Sequence, residues 1–159
     1  MSLTVRTALA RVRQVLVDDP GAVIAETRSA ADKRSRRFLT ELKVAMGAGA
    51  SFRQEVGVDV GAAGAVDRAD GGIALPLRWH ATGRNRLFPT FQGELEAVPS
   101  RSGRTLRLQG TYTVPLGTIG RLGDGVAGQR LADRSLVAFL GAMGRRVDAE
   151  VDRRMASVS

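Results

Sequence analysis

Cysteine is absent from this chain of 159 residues, and histidine occurs only once, as His80. Without cysteine there is no disulfide framework, no thiolate metal site and no cysteine nucleophile, which fits a reducing compartment and makes the cytoplasm the expected location. A metal site would need further histidines or closely paired carboxylates, and the sequence has neither H-x-x-H nor D-x-D spacing. We therefore predict no metal, and no motif indicates a cofactor.

A long apolar run is also missing. The first nineteen residues contain Arg6, Arg11 and Arg13 at scattered positions, and no continuous apolar segment separates them. Such a segment is neither a signal peptide nor a membrane span. We therefore expect a protein that does not span a membrane.

Basic residues are abundant but not clustered. The formal net charge is +8, and of the 24 lysines and arginines only Lys33 and Lys43 are lysine. Clustered cations bind phosphates by releasing counterions, whereas here only residues 33–37 form a short basic run. We therefore predict no specific nucleic-acid binding and interpret the basic residues as a solvated surface.

Between Arg37 and Val114 apolar and polar residues alternate with a period of two. The alternation defines five segments, each apolar on one face: 37–46, 52–60, 73–81, 91–97 and 105–114. Successive side chains of a strand point to opposite faces, so the pattern predicts an antiparallel sheet with one buried and one solvated side. Glycine-rich turns between the segments favour a meander of neighbouring strands.

Helical spacing occurs before and after this region. A short strand at residues 3–7 precedes two short helices, at 8–17 and 20–26. From Gln129 to Met155 the apolar residues of a long helix form one stripe: Leu136, Leu140, Met143, Val147 and Val151. We predict one α+β domain over residues 1–159, with a curved antiparallel sheet of about six strands wrapped around the C-terminal helix.

Three short runs carry a family resemblance. Residues Leu75 to Gly83, Leu87 to Pro89 and Gly110 to Gly117 resemble a small, mostly uncharacterised bacterial branch of the START-like, Bet v 1-like superfamily. This superfamily is also called SRPBCC or the polyketide cyclase and lipid-transport group. The order of the predicted elements resembles its helix-grip fold over nearly the whole chain. The resemblance implies a sheet curled around the long helix and an apolar cavity between the two.

Candidate ligand-binding residues lie on the buried face of the strands or on the helix stripe. They are Phe38, Leu42, Phe52, Val56, Leu77, Trp79, Phe91, Leu108, Tyr112, Phe139 and Met143. We assign no catalytic residue, because His80 alternates with Trp79 and therefore falls on the polar face. The same alternation places the acidic residues of the strands on that polar face, among them Glu55, Asp59 and Glu96.

Three functions remain open at this point. The first is the binding, without turnover, of a small hydrophobic or amphipathic molecule, such as a lipid or a polyketide-like compound, between sheet and helix. The second is a cyclase or hydratase type of enzyme that folds a reactive substrate by shape. The third is a protein-interaction module with no ligand, as a monomer or a homodimer. Because no acid or base is expected in the interior, binding is favoured.

Overall fold

A computed structural model of the chain describes residues 2–5, 9–24, 37–47, 49–82, 88–101, 103–113 and 125–157. The elements in chain order are β1 (Ser2–Val5), α1 (Leu9–Asp18), α2 (Pro20–Ile24), β2 (Arg37–Gly47), β3 (Ala50–Val60), β4 (Val66–Asp67), β5 (Ile73–Ala81), β6 (Thr90–Ser100), β7 (Gly103–Thr113) and α3 (Gly125–Ala156). The predicted α+β fold, an open curved sheet against a long C-terminal helix, is confirmed. The basic run at 33–36 and the predicted end of the second helix at 25–26 lie outside the described residues.

Six strands follow one antiparallel path, in the order β1-β7-β6-β5-β3-β2. The last five of these strands form the predicted meander, and β1 joins its far edge, where Leu3 pairs with Leu106. The register places apolar residues side by side, as Leu75 pairs with Leu95, which in turn pairs with Leu108. The apolar residues of neighbouring strands therefore form one continuous surface, the concave face of the sheet.

Helix α3 covers the concave face. The side chains of Phe139, Leu140 and Met143 are buried in the core that sheet and helix share, and α3 contacts β2, β7 and β1. The predicted stripe was correct, although α3 begins at Gly125, ahead of the predicted Gln129. Burial of this stripe is what holds the helix on the sheet, because it removes apolar surface from water.

An arginine of α3 holds the C-terminal end of α2. Arg146 Nη1 donates hydrogen bonds to the carbonyl oxygen of Ile24, at 2.6 Å, and to the hydroxyl oxygen of Thr40, at 2.8 Å. The last carbonyls of a helix have no partner within the helix, so the guanidinium completes α2 and joins it to β2. Val15 and Leu16 of α1 are also buried against the core. The short helices thus support the C-terminal half of α3.

Two glycines set the separation of β6 from β7. Gly93 and Gly110 are cross-strand partners, and a Cβ atom on either one would collide with a backbone oxygen of the opposite strand, that of Gln109 or Gln92. The ring of Phe91 lies against both glycines. Side chains at these two positions would force the strands apart and displace this ring.

Strand β4 was not predicted, and it changes the surroundings of one acidic residue. Val66 and Asp67 pair with the start of β5, and the following Arg68 reaches Glu96 at 2.7 Å. Arg107 binds the same carboxylate at 2.5 Å. Glu96 lies on the convex face, as its alternation predicted, but only 1% of its side chain is exposed. The expectation of a solvated Glu96 was wrong because arginines cover it.

Candidate functional site

An apolar row crosses the concave face from β7 to β2. Tyr112 pairs with Phe91, Phe91 with Trp79, Trp79 with Val58, and Val58 with Phe38, so five successive strands each contribute one residue. Four of these five side chains belong to the predicted ligand-binding set. The sheet therefore brings the predicted aromatic residues of different strands together at one level.

Trp79 is the centre of this row. Its ring stacks on Phe91 at a centroid distance of 4.6 Å and lies at the same distance from Phe139 of α3. The indole Nε1 donates a hydrogen bond to the carbonyl oxygen of Pro89 at 3.2 Å. A buried indole N–H needs such a partner. The three rings fill the space between sheet and helix at this point.

Most other predicted residues are buried around this aromatic centre, namely Leu42, Val56, Leu77, Leu108 and Met143. Phe38, Phe52 and Tyr112 are half buried instead. Phe38 lies at the start of β2, where its ring packs on Gly21 of α2. It therefore belongs to the part of the sheet that α2 covers. Phe52 lies on β3, and its ring is nearly perpendicular to that of Phe88, with 6.4 Å between the ring centroids.

Half-buried apolar residues also mark one end of the space between sheet and helix. Phe52, Ala81 and Tyr112 lie toward the same ends of β3, β5 and β7, and Leu131 and Leu136 lie in the first part of α3. We call these five residues the open-end cluster. They continue the apolar surface of the core and are only partly withdrawn from water.

One polar pair lies at the rim of this cluster. The hydroxyl of Tyr112 donates a hydrogen bond to Asp133 Oδ1 at 3.3 Å, joining β7 to α3. Burial, and next the charge of Asp133, raise the pKa of Tyr112 above its ordinary value. The phenol therefore keeps its proton well into the alkaline range and serves as a hydrogen-bond donor.

Polar residues inside the concave face are bound by the protein itself. Thr40 accepts from Arg146, Gln54 Nε2 donates to the carbonyl oxygen of Glu55 at 2.7 Å, and Ser135 donates to the carbonyl oxygen of Leu131 at 2.7 Å. Thr40 and Gln54 share the alternation of the apolar residues of β2 and β3 and are buried with them. Because these hydrogen bonds are made within the protein, we assign Thr40 and Gln54 structural roles.

Arg104 is a further interior residue that the sequence analysis did not select. It lies on the concave face of β7 and is fully buried. The predicted strand began at Thr105, whereas β7 begins at Gly103. Leu106 and Leu108 alternate with polar residues, and extending this alternation by two residues toward the N-terminus places Arg104 in the interior. The sequence pattern could therefore have identified Arg104 as an interior residue.

The convex face carries the charged residues. Asp59 accepts from Arg37 at 2.6 Å and from Arg78 at 3.3 Å, and His80 Nδ1 lies 3.8 Å from the same carboxylate. The hydrogen bond from Arg37 is the main cause that lowers the pKa of Asp59. His80 thus lies with Asp59 and Arg78, as its alternation with Trp79 predicted.

A shallow hollow of ≈ 330 Å³ also opens on this face, lined by Arg78, Thr90, Phe91, Gln92, Thr111 and Thr113. Its walls are mostly polar and, apart from Phe91, are formed by residues on the side of the sheet opposite α3. It is separate from the open-end cluster and lacks the apolar lining that an apolar ligand requires.

Among the described residues, no group of three or more histidine or carboxylate side chains is placed to hold a metal ion. In the same part of the chain, no helix is long and apolar enough to cross a membrane.

Fold and site together define an α+β protein whose open antiparallel sheet packs an apolar face against a long C-terminal helix. No protein-family model matches the chain, and no curated protein matches it. Among solved structures it is similar to TTHA0849 from Thermus thermophilus, with 17% identity, a TM-score of 0.43, and coverage of 94% of this chain and 96% of that one. It is also similar to protein Ms6760 from Mycobacterium smegmatis, with 12% identity, a TM-score of 0.46, and coverage of 93% and 86%.

Proposed function

We propose that this protein binds a small hydrophobic or amphipathic molecule, of the lipid or polyketide-like kind, between the sheet and α3, without chemical turnover. The observation that carries the proposal is the open-end cluster, in which apolar side chains of three strands and of α3 are only partly buried next to a fully buried core. Exposed apolar surface that is continuous with a core favours an apolar ligand, because covering it removes more surface from water. The START-like resemblance of the sequence supports the same class of ligand.

The packing of the aromatic centre supports a ligand position at the edge of the predicted set. Trp79, Phe91 and Phe139 already contact one another, so the ligand lies beside this stack, against Phe52 and Tyr112. Leu131 and Leu136 supply the wall from α3. The buried residues of the predicted ligand-binding set, such as Leu77 and Met143, form the core next to the site.

The chemistry of Tyr112 favours binding over catalysis. A general base needs a pKa near the working pH, and the pKa of Tyr112 is raised away from that range by burial and by Asp133. The hydroxyl is instead suited to orienting a polar atom of the ligand.

A cyclase or hydratase type of enzyme is the second candidate, and the Tyr112–Asp133 pair is the observation that favours it. The Tyr112 hydroxyl, held by Asp133 at the rim of an apolar site, would be a positioned polar group beside a bound substrate. An enzyme of this kind would lose turnover in Tyr112→Phe while retaining substrate binding. A protein that only binds would show no turnover in either form.

The test uses Trp79, the only tryptophan, whose fluorescence reports on the site without a label. Titration with fatty acids, flavonoids and polyketide-like aromatics is expected to give a saturable change for at least one class. Leu136→Asp, which places a charge in the open-end cluster, is expected to abolish that change.

The matched control is Val137→Asp, because Val137 is the next residue of α3 and is 50% exposed. It is expected to bind as the unmodified protein does, with circular dichroism showing that both variants remain folded. Native mass spectrometry of protein purified from its own host gives a second readout, since a retained ligand identifies the class. If no compound changes the fluorescence or the melting temperature, the proposal is wrong.

A further inference from the structure

Arg104 is a charged residue in the interior of the protein. It lies on β7 between Val5 of β1 and Pro99 of β6, and its side chain has no exposed surface. Within the part of the chain that the structure describes, its guanidinium nitrogens Nε, Nη1 and Nη2 are all buried and none has a hydrogen-bond partner. A guanidinium is a donor group only and remains charged at neutral pH.

This situation is energetically unfavourable. Burying a charged group without pairing is strongly destabilising, and each unmade hydrogen bond adds to that cost. Arg146, on the same side of the sheet, shows the usual solution, since it donates to the carbonyl oxygen of Ile24 and to Thr40. Arg104 has every donor of such an arrangement, and the described residues offer it no acceptor.

Asp148 of α3 is the acidic group whose charge acts on Arg104. Burial lowers the pKa of Arg104, and the charge of Asp148 offsets part of this effect. The carboxylate does not hydrogen-bond to the guanidinium. Arg104 therefore has a compensating charge in its vicinity. Among the described residues, however, no acceptor forms the paired hydrogen bonds that a planar guanidinium favours.

We propose that Arg104 binds the oxyanion of an amphipathic ligand, a carboxylate or a phosphate, by a two-pronged hydrogen bond. This inference rests on the proposed function and assigns a head group to its ligand. Leu106 and Leu108 follow Arg104 on the same face of β7 and are buried, so the surroundings of Arg104 on this strand are apolar, as an amphipathic ligand requires. Arginine suits this role because its fork matches the two oxygens of a carboxylate or phosphate.

The experiment compares laurate with 1-dodecanol, which have equal chain lengths and differ in the charge of the head group. Binding to the full chain is measured by Trp79 fluorescence and by calorimetry at neutral pH. Laurate is expected to bind at least about tenfold more tightly than dodecanol, the effect of one charge-assisted hydrogen-bonded pair. Arg104→Gln is expected to remove this preference.

Two further variants make the comparison specific. Arg101→Gln is the matched control, because Arg101 is an exposed arginine in the turn before β7, and it is expected to keep the preference. Asp148→Asn is expected to strengthen laurate binding, because an oxyanion at Arg104 no longer meets the repulsion of this carboxylate. Acetate and inorganic phosphate test whether free anions suffice, and they are expected to bind at least about tenfold more weakly than laurate.

The outcomes separate the two proposals. If dodecanol binds as tightly as laurate to the unmodified protein, the assignment of Arg104 is wrong and the proposed function stands. If neither compound binds and no other amphipathic molecule does, the proposed function fails as well. If acetate or phosphate binds as tightly as laurate, a free anion occupies the site and the head-group assignment is overturned. Should Arg104→Gln fail to fold, the preference of the unmodified protein and the response of Asp148→Asn still decide the question.

Discussion

Gly93 and Gly110 are single residues on which the packing of two strands depends. Alanine at either position would bring a methyl group into contact with a backbone oxygen of the partner strand and with the ring of Phe91. Overpacking of this kind costs about 1–3 kcal/mol or more. We expect both Gly93→Ala and Gly110→Ala to lower the midpoint of urea unfolding.

Gly141 is the control for this prediction. A Cβ atom there would meet only the flexible side chain of Arg145, at 3.4 Å, and alanine is favoured over glycine in a helix by about 1 kcal/mol. Gly141→Ala is therefore expected to raise the unfolding midpoint. Equal midpoints for Gly93→Ala and the unmodified protein would contradict the strand contact.

Tyr112 offers a second test at the level of one residue, since it is the only tyrosine. Its ultraviolet absorbance therefore titrates one phenol. We expect an apparent pKa above the ordinary value of 10.0, because burial and Asp133 both disfavour the phenolate. A raised folded-state pKa means that the associated stability is complete below the unfolded-state pKa and is lost as the pH rises through the folded-state value.

Asp133→Asn is the matching variant. Removing the carboxylate is expected to lower the pKa of Tyr112 toward 10.0, with the remaining shift attributable to burial. The hypothesis of a Tyr112–Asp133 pair in solution is rejected if the titration curves of the two proteins coincide.

The alternation of the sequence correctly predicted which face most residues of the strands occupy. It did not predict contacts with segments that are distant in the sequence. Trp79, Phe91 and Phe139 were all assigned to the interior, yet their mutual stacking depends on the cross-strand register, which the pattern alone does not contain. Glu96 has the predicted orientation but is buried by Arg68, a residue that follows an unpredicted strand. Arg104 was missed because the predicted strand began at Thr105, two residues after the start of β7 at Gly103.

Helix α3 is the element on which the sheet depends. Leu140 is 1% exposed, and Val137 on another side of the same helix is 50% exposed. Leu140→Ala is expected to cost about 2–5 kcal/mol in the free energy of unfolding, whereas Val137→Ala is expected to change it by less than about 0.5 kcal/mol. Chemical denaturation of the two variants measures both values, and a Leu140→Ala protein as stable as Val137→Ala would exclude the observed orientation of α3.

Among the elements, those with a clear local pattern were predicted well, including the short helices α1 and α2, and β4 was missed. The bounds of β5 agree with the sequence prediction from Ile73 to Ala81. Strand β4 has two residues within a glycine-rich stretch and exists through its pairing with β5, so no local pattern marks it. Strand β6 continues to Ser100, past the last clear alternation, because β7 supplies hydrogen-bond partners to that point.

At the scale of the whole molecule, acid stability depends on carboxylates bound by arginines. The pKa of Asp59 is lowered, chiefly by Arg37 and also by Arg78, so its stabilising effect is present above the unfolded-state value and is lost as the pH falls through the folded-state value. Asp59→Asn is expected to be less stable than the unmodified protein at pH 7, and the difference is expected to shrink below about pH 4.

Urea unfolding at a series of pH values measures this difference. Asp67→Asn is the control, because Asp67 and its partner Arg13 are both more than half exposed and solvent screens such a pair. Its effect is expected to be smaller at every pH. A difference for Asp59→Asn that does not change with pH would show that the ion pairs with Arg37 and Arg78 are not its cause.

The dispersed positive charge leads to a prediction for the whole surface. Several arginines are engaged by acids on the convex face, including Arg53 with Glu41 at 2.9 Å and Arg107 with Glu96 at 2.5 Å. We therefore expect only weak binding to duplex DNA, falling steeply as salt is raised. Fluorescence anisotropy at low and physiological salt tests this, and tight binding that survives the higher salt would favour an interaction module.

The pairing of β1 with β7 has a consequence for synthesis on the ribosome. Strands β1 and β7 are far apart in the chain, since Leu3 pairs with Leu106. Until β7 has left the exit tunnel, the nascent chain can build the hairpins of the meander but has no edge to which β1 can add. Joining ends so far apart requires the loss of chain entropy before the contacts are gained, which slows folding. Strand β1 therefore cannot pair until β7 has emerged, and the complete sheet forms only after that point.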